Sequence, residues 1–150
     1  MTDSLVIDVM RRPGTEDVAL PAYQSAGASG LDLCAACDGE VVVTPGEITL
    51  IPTGLTIAVP TGYEAQVRAR SGLALTHGLV VVNAPGTIDS DYRGEVGIII
   101  GNIGREPFTI TRGQRIAQLV IQPVARVTVA LREALDPTDR GAGGFGHTGQ

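Results

Sequence analysis

Apolar and polar residues alternate along this chain in short runs rather than in helical stripes. Runs rich in Val, Ile and Leu fall at residues 4–9, 31–35, 41–44, 48–51, 55–59, 63–70, 79–82, 96–100, 108–110, 116–122 and 127–131. Period-two alternation turns successive side chains to opposite faces, which is the pattern of a half-buried strand. Pro45-Gly46, Pro52, Pro60-Thr61-Gly62 and Pro85-Gly86 punctuate the runs. Proline pre-sets φ for a turn, and glycine admits the positive φ that many turns require. Many short strands at near-regular spacing predict an all-β subunit, a jelly-roll-like barrel or sandwich. One short helix is expected at 71–77.

Composition narrows this picture. The chain has three Tyr, two Phe and no Trp, so its core must be built from Val, Ile and Leu. Tyr92 and Phe145 sit in polar, Gly-rich surroundings and are expected outside that core. A length of 150 residues suits one domain with a sizeable core, assigned here to 1–135. Residues 136–150, DPTDRGAGGFGHTGQ, carry five glycines and one large apolar side chain. Such a segment buries too little surface to offset its ordering entropy, and a mobile tail is expected.

The formal charge is −5 and every basic residue except the two histidines is Arg. An acidic surface has no general attraction for DNA or membranes, so neither is expected as a partner. Locally placed Arg and backbone N–H groups can still hold a small anion. The absence of a bilayer-length apolar run and of a secretory pattern leads us to expect a soluble, cytoplasmic protein. Cys34 and Cys37 form a C-x-x-C without a second pair, and His77 and His147 lie far away in sequence. Two small buried thiols are expected there, not a zinc or redox site.

One stretch carries more chemistry than a turn requires. NAPGTIDSDYRGEVGIII, residues 83–100, reads as a β-hairpin with an elaborate tip holding Asp89, Asp91, Tyr92 and Arg93. Asn83 has both an amide donor and a carbonyl acceptor, so it can pair with a nucleobase edge beside backbone groups of Gly86, Thr87 and Ile88. Asp89 is a candidate general base, with Asp91 the rival carboxylate; either also suits an Asx-turn. Gly97 marks either close approach of the backbone to a pocket or a bulge. Arg70-Ser71-Gly72 opens the short helix, where free N–H groups and a guanidinium suit a phosphate. The same tripeptide is compatible with a plain Ser N-cap. Gln118 is a polar residue in an otherwise apolar strand and needs a partner.

Five stretches, AGASGLDL (26–33), RARSGL (68–73), NAPGTIDSDYRG (83–94), GQRIAQL (113–119) and RGAGGFGHTG (140–149), stand in this order along the chain. Their order, spacing and wording resemble the trimeric dUTPases of bacterial type, the deoxyuridine triphosphate nucleotidohydrolases. The resemblance spans essentially the whole chain. It implies a jelly-roll-like subunit, a homotrimer with active sites shared between subunits, and Mg²⁺-dependent cleavage of dUTP to dUMP and pyrophosphate. It further implies that Arg70, Ser71, Gly72 and Gln118 face the phosphates and that Asn83, Gly86, Thr87, Ile88 and Gly97 surround uracil. Asp89 would deprotonate the water attacking the α-phosphorus, and Tyr92 would lie against the deoxyribose and exclude a 2′-hydroxyl. Asp32 would help hold the Mg²⁺ water shell. In the tail, Phe145 would stack on uracil while Arg140, Gly146 and Thr148 reach the phosphates, closing over the site. A dCTP deaminase of the same fold and a binding protein without turnover are the competing expectations.

Overall fold

Alternation of burial along the central strands of one sheet sets the architecture. The computed structural model describes residues 5–147. Its strands are β1 (Asp8–Arg11), β2 (Leu31–Cys34), β3 (Val41–Val43), β4 (Ile48–Ala58) and β5 (Tyr63–Ala69). After the helix α1 (Ser71–His77) come β6 (Leu79–Val81), β7 (Gly86–Ile88), β8 (Glu95–Asn102), β9 (Phe108–Ile110) and β10 (Arg115–Pro123). One four-stranded sheet has the order β1-β4-β8-β6, a second has β2-β10-β5-β7, and β3 pairs with β9 alone. Every pairing is antiparallel.

In β8, Val96, Ile98 and Ile100 turn inward, and in the neighbouring β4 Ile51 and Ile57 join them in the core. Ala65 and Val67 of β5, with Ala117 and Leu119 of β10, close the same core from the second sheet. The core is aliphatic as expected, with Tyr63 and Phe108 packed at its edge. Burying each Ile or Leu contributes about 1.5–3 kcal/mol, which is why the inward faces admit so few polar groups. Thr53 is one of them, and its hydroxyl donates to the Val96 carbonyl at 2.6 Å.

Three expectations need correction. The runs at 48–51 and 55–59 form one strand, β4, whose pairing with β8 shifts register between Pro52 and Thr56. Pro52 sits at the edge of that shift, and Gly54 has φ +68° with the Thr15 side chain pressed where a Cβ would be. The first strand occupies Asp8–Arg11 instead of 4–9: its partner β4 ends at Ala58, opposite Asp8, so residues 5–7 run past the edge. Ser4 lies outside the described residues. The run at 127–131 is not a strand. Val127, Val129 and Leu131 are exposed, and no strand among the described residues pairs with them.

The helix has the expected bounds. Arg70 takes its N-cap position without a side-chain cap, and Gly78 ends it in the left-handed region at φ +69°. A Cβ on Gly78 would overlap the backbone of Gly104, so the C-cap also needs glycine for space.

Two polar clamps lock the loops. The Asn102 side chain, fully buried, donates to the Val43 and Glu106 carbonyls at 2.9 and 2.8 Å and accepts from the Gly104 N–H at 2.8 Å. Arg112 makes two hydrogen bonds to Asp17, at 2.7 and 2.8 Å, and also donates to the Gly14 and Cys37 carbonyls. Asn102→Ala should lower the free energy of unfolding by about 1–3 kcal/mol, read by urea denaturation, because it strands buried backbone groups. The Arg112 guanidinium pulls the Asp17 carboxyl from 3.8 down to about 2. A carboxyl depressed in the folded state adds stability above its unfolded pKa and loses it as pH falls through the folded one. Asp17→Asn should therefore flatten the drop in Tm between pH 3.8 and about 2 seen by calorimetry, modestly because the pair is exposed.

Candidate functional site

The 83–100 stretch is a hairpin whose tip changes sheets. β6 and β8 pair through Val81 and Ile100, as the expected hairpin requires. Between them the chain crosses to the second sheet and forms β7, a strand that the sequence reading missed. β7 pairs with β5 through Gly86–Val67, Thr87–Gln66 and Ile88–Ala65. Gly86 and Ile88 are buried while Thr87 points outward. The Asn83 amide folds over Gly86, where an added Cβ would lie 3.0 Å from Nδ2. A side chain at 86 would displace the asparagine.

Asp89 emerges directly after β7 and is exposed. It borders two cavities. The smaller, about 160 Å³, is lined by Thr87, Ile88, Asp89, Tyr92, Glu95 and Gly97 with Val96. The larger, about 430 Å³, has Tyr63, Glu64, Asp89, Asp91 and Arg126 among its walls. The Asp89 carbonyl accepts from the Tyr92 N–H at 3.1 Å, which closes a turn. The Tyr92 hydroxyl donates to the Glu95 carbonyl at 3.0 Å, and the ring remains 45% exposed, outside the core as expected.

A second cluster forms where β2, β10 and the end of β5 meet. Asp32 and Gln118 are paired across β2 and β10, and Gln118 is opposite Arg68 on β5. The Asp32 carboxylate accepts from Arg115 at 3.1 Å and lies 3.7 Å from Arg70 Nε. Arg70 also donates to the Arg115 carbonyl at 2.8 Å. Two guanidiniums on one carboxylate leave a net positive spot on an acidic protein, suited to an anion. Gln118 finds its partner in the Ala69 carbonyl at 3.1 Å. A Cβ on Gly30 would stand 2.5 Å from the Gln118 amide oxygen, so glycine there leaves room for the amide. Ser71 and Gly72 begin α1 and are exposed.

The chain does not bring all the named residues together. No hydrogen bond or ion pair among the described residues joins the Asn83–Asp89–Tyr92 group to the Asp32–Arg70–Gln118 group. In the tail Arg140 bonds only locally, to the Gly143 carbonyl at 2.8 Å, and Phe145 is fully exposed. Gly146 has φ +85°. Thr148 lies outside the described residues. Arg115, in GQRIAQL, was expected to support the site or a subunit contact, and it bonds Asp32. Glu95 organises the other group and was not singled out from the sequence, the Glu after DYRG being the available signal.

Burial of the two thiols is as expected. Both are free and buried, Cys34 against Val18 and Ala36, and Cys37 in the main core. Burial, followed by the nearby Asp32 charge, pushes the Cys34 thiol up. His77 packs against Phe108 in a tilted arrangement, with ring centroids 4.7 Å apart and planes at 56°.

Comparisons with known proteins give the chain a family. The family model described as dUTPase matches residues 16–149. The deoxyuridine 5′-triphosphate nucleotidohydrolase of Methylocella silvestris is 56% identical over 151 residues, covering 99% of this chain and 94% of that protein. The enzyme of the same name from Desulfotalea psychrophila is 58% identical over 135 residues, covering 90% of each. Among solved structures, a Staphylococcus bacteriophage 80alpha dUTPase with dUpNHpp superposes with a TM-score of 0.83 at 26% identity, covering 97% of this chain and 99% of that one. The protein is thus an enzyme, a nucleotidohydrolase built on antiparallel sheets. It belongs to the dUTPase family.

Since both thiols are buried, neither Cys34 nor Cys37 should react with a water-soluble disulfide reagent in the folded protein. Two equivalents should react on unfolding, read by absorbance of the released thiolate.

Proposed function

We propose that this enzyme hydrolyses dUTP to dUMP and pyrophosphate by attack of water on the α-phosphorus. The water oxygen bonds to phosphorus, the bridging oxygen to the β-phosphate leaves with pyrophosphate, and Asp89 takes the water proton. The observation that carries this reading is the crossing between β6 and β8, which gathers Asn83, Gly86, Asp89 and Tyr92 around one short strand. Asn83, with the backbone of Gly86, Thr87 and Ile88, pairs with uracil. Exchanging O4 for the amino group of cytosine reverses donor and acceptor, a stronger discriminator than a gap of one methylene. Gly97, on the wall of the smaller cavity, keeps the backbone close to the base. Tyr92 lies against the deoxyribose and excludes a 2′-hydroxyl.

Arg70, Ser71, Gly72 and Gln118 receive the phosphates. That cluster makes no bond to the Asp89 group within the described chain, which supports sites completed between subunits of a homotrimer with a jelly-roll-like fold. The tail, residues 136–150, then closes over a site from outside the 1–135 domain. Phe145 stacks on uracil, while Arg140, Gly146 and Thr148 reach the phosphates and exclude water. A cytoplasmic enzyme of this kind limits uracil incorporation into DNA and supplies dUMP for dTMP synthesis. No helix among the described residues is long and apolar enough to cross a membrane.

Mg²⁺ fits this site as an ion brought by the triphosphate. Among the described residues no group of three or more His, Cys, Asp or Glu could hold a metal. The contacts of Asp32 with Arg115 and Arg70 use Oδ2, which leaves Oδ1 to accept from a water of the ion's shell. When bound, the ion supplies neutralisation of phosphate charge.

Incubation with Mg²⁺ and dUTP, dCTP, dTTP or UTP separately, measuring pyrophosphate and ammonia, tests the reading. Pyrophosphate from dUTP alone is expected. Ammonia from dCTP would move the protein to the deaminases, and dUTP binding without pyrophosphate would make it a binding protein. Asp89→Asn should keep nucleotide binding and lower kcat at least about 10²-fold, the usual scale of general-base help; near-normal turnover would remove Asp89 from its role.

A further inference from the structure

Tyr92 is held at its backbone and at the tip of its ring. Its N–H reaches the Asp89 carbonyl, and its hydroxyl reaches the Glu95 carbonyl at 3.0 Å. It also lies over Gly94, where any Cβ would collide with the ring. With the ring 45% exposed, its position depends on where the Glu95 carbonyl stands.

Glu95 begins β8, next to the register shift in the β4 ladder. Regular pairing is interrupted there, and the Glu95 side chain makes up the difference. Its Oε1 accepts from the Gly54 N–H at 2.8 Å. Gly54 is itself fixed from the other side: its carbonyl accepts from the Arg12 N–H at 2.7 Å, and Thr15, fully buried, packs against its Cα. Arg12 also stands 3.9 Å from Oε2, an exposed contact that adds little. A chain of contacts therefore runs from a buried threonine through Gly54 and the Glu95 carboxylate to the carbonyl that holds the tyrosine.

We propose that Glu95 is a positioning residue for sugar selection, fixing the Tyr92 ring through the β4 register shift. The proposal rests on the reading of Tyr92 as the group that meets the deoxyribose. A ring that can yield admits a 2′-hydroxyl; a ring tied to the β4 shift does not. Glu95 touches no reacting atom, and it acts on discrimination more than on turnover.

The test compares kcat/KM for dUTP and UTP in native enzyme and in Glu95→Ala, Glu95→Gln, Tyr92→Phe and Tyr92→Ala. Glu95→Ala should lower the dUTP-over-UTP ratio about 10-fold, the scale of a loosened steric sieve, with kcat for dUTP less affected. Glu95→Gln keeps the Oε1 acceptor and should restore most of the ratio. Tyr92→Phe, which removes the hydroxyl without touching β8, should lower the ratio as Glu95→Ala does, and it decides the matter if Glu95→Ala does not fold. A loss of stability alone would not change the ratio. An unchanged ratio in Glu95→Ala or in Tyr92→Phe, with a loss in Tyr92→Ala, would overturn the role of Glu95 and leave the sugar-gate reading intact. An unchanged ratio in Tyr92→Ala would overturn both.

Discussion

A single aliphatic core shared by two sheets is the constraint on which the rest of this molecule depends. Val96, Ile98 and Ile100 must face inward from one sheet while Val67 and Leu119 face them from the other. A one-residue slip in either ladder would turn all of these side chains to solvent. The chain between β6 and β8 has to respect both registers at once, because it donates β7 to the second sheet and then returns. The residues at its turning points are therefore held by geometry that the core imposes. Asp89 and Tyr92 sit at the return, where backbone bonds to Asp89 and Glu95 fix the turn.

The register shift in β4 is the counterpart of that crossing. Proline at 52 and a left-handed glycine at 54 would weaken an ordinary central strand. Here the freed polar groups have dedicated partners: the Gly54 N–H goes to Glu95, the Gly54 carbonyl receives Arg12, and the Pro52 carbonyl receives the Ala36 N–H. The irregular ladder thereby becomes an anchor for the loop that carries Asp89. Local disorder in hydrogen bonding at one strand is converted into order at the neighbouring site.

Charge is organised around Asp32, in the same sheet as β7. The protein is acidic, with a formal charge of −5, yet Arg70 and Arg115 converge on one carboxylate at Asp32. Asp32 offsets the repulsion between the two guanidiniums and holds them together at the start of β10. Arg112 does similar work for the loops by joining Asp17 to the carbonyls of Gly14 and Cys37. The first cluster is suited to an anion, whereas the second is occupied by backbone carbonyls, Asp17 and Asp38.

Period-two alternation with Gly and Pro punctuation by itself determined that this is a strand-dominated chain, where the helix lies, that the core is aliphatic, and that the thiols are buried. Those features follow from side-chain type and spacing, which are local. The wording of the 83–94 stretch likewise marked a candidate site from its excess of charged and special residues. Tertiary structure decided which strands pair. β7 was not legible because it is only three residues long and begins on the Pro85-Gly86 turn signal, too short for an alternation to register; β5 supplies its ladder partners. The run at 127–131 has the alternation of a strand and remains unpaired, because a strand needs a neighbour to satisfy its backbone, and none of the described strands provides one. The same holds for Glu95: its charge was visible in the sequence, but its bond to Gly54 exists only because the fold brings β4 and β8 together across forty-one positions.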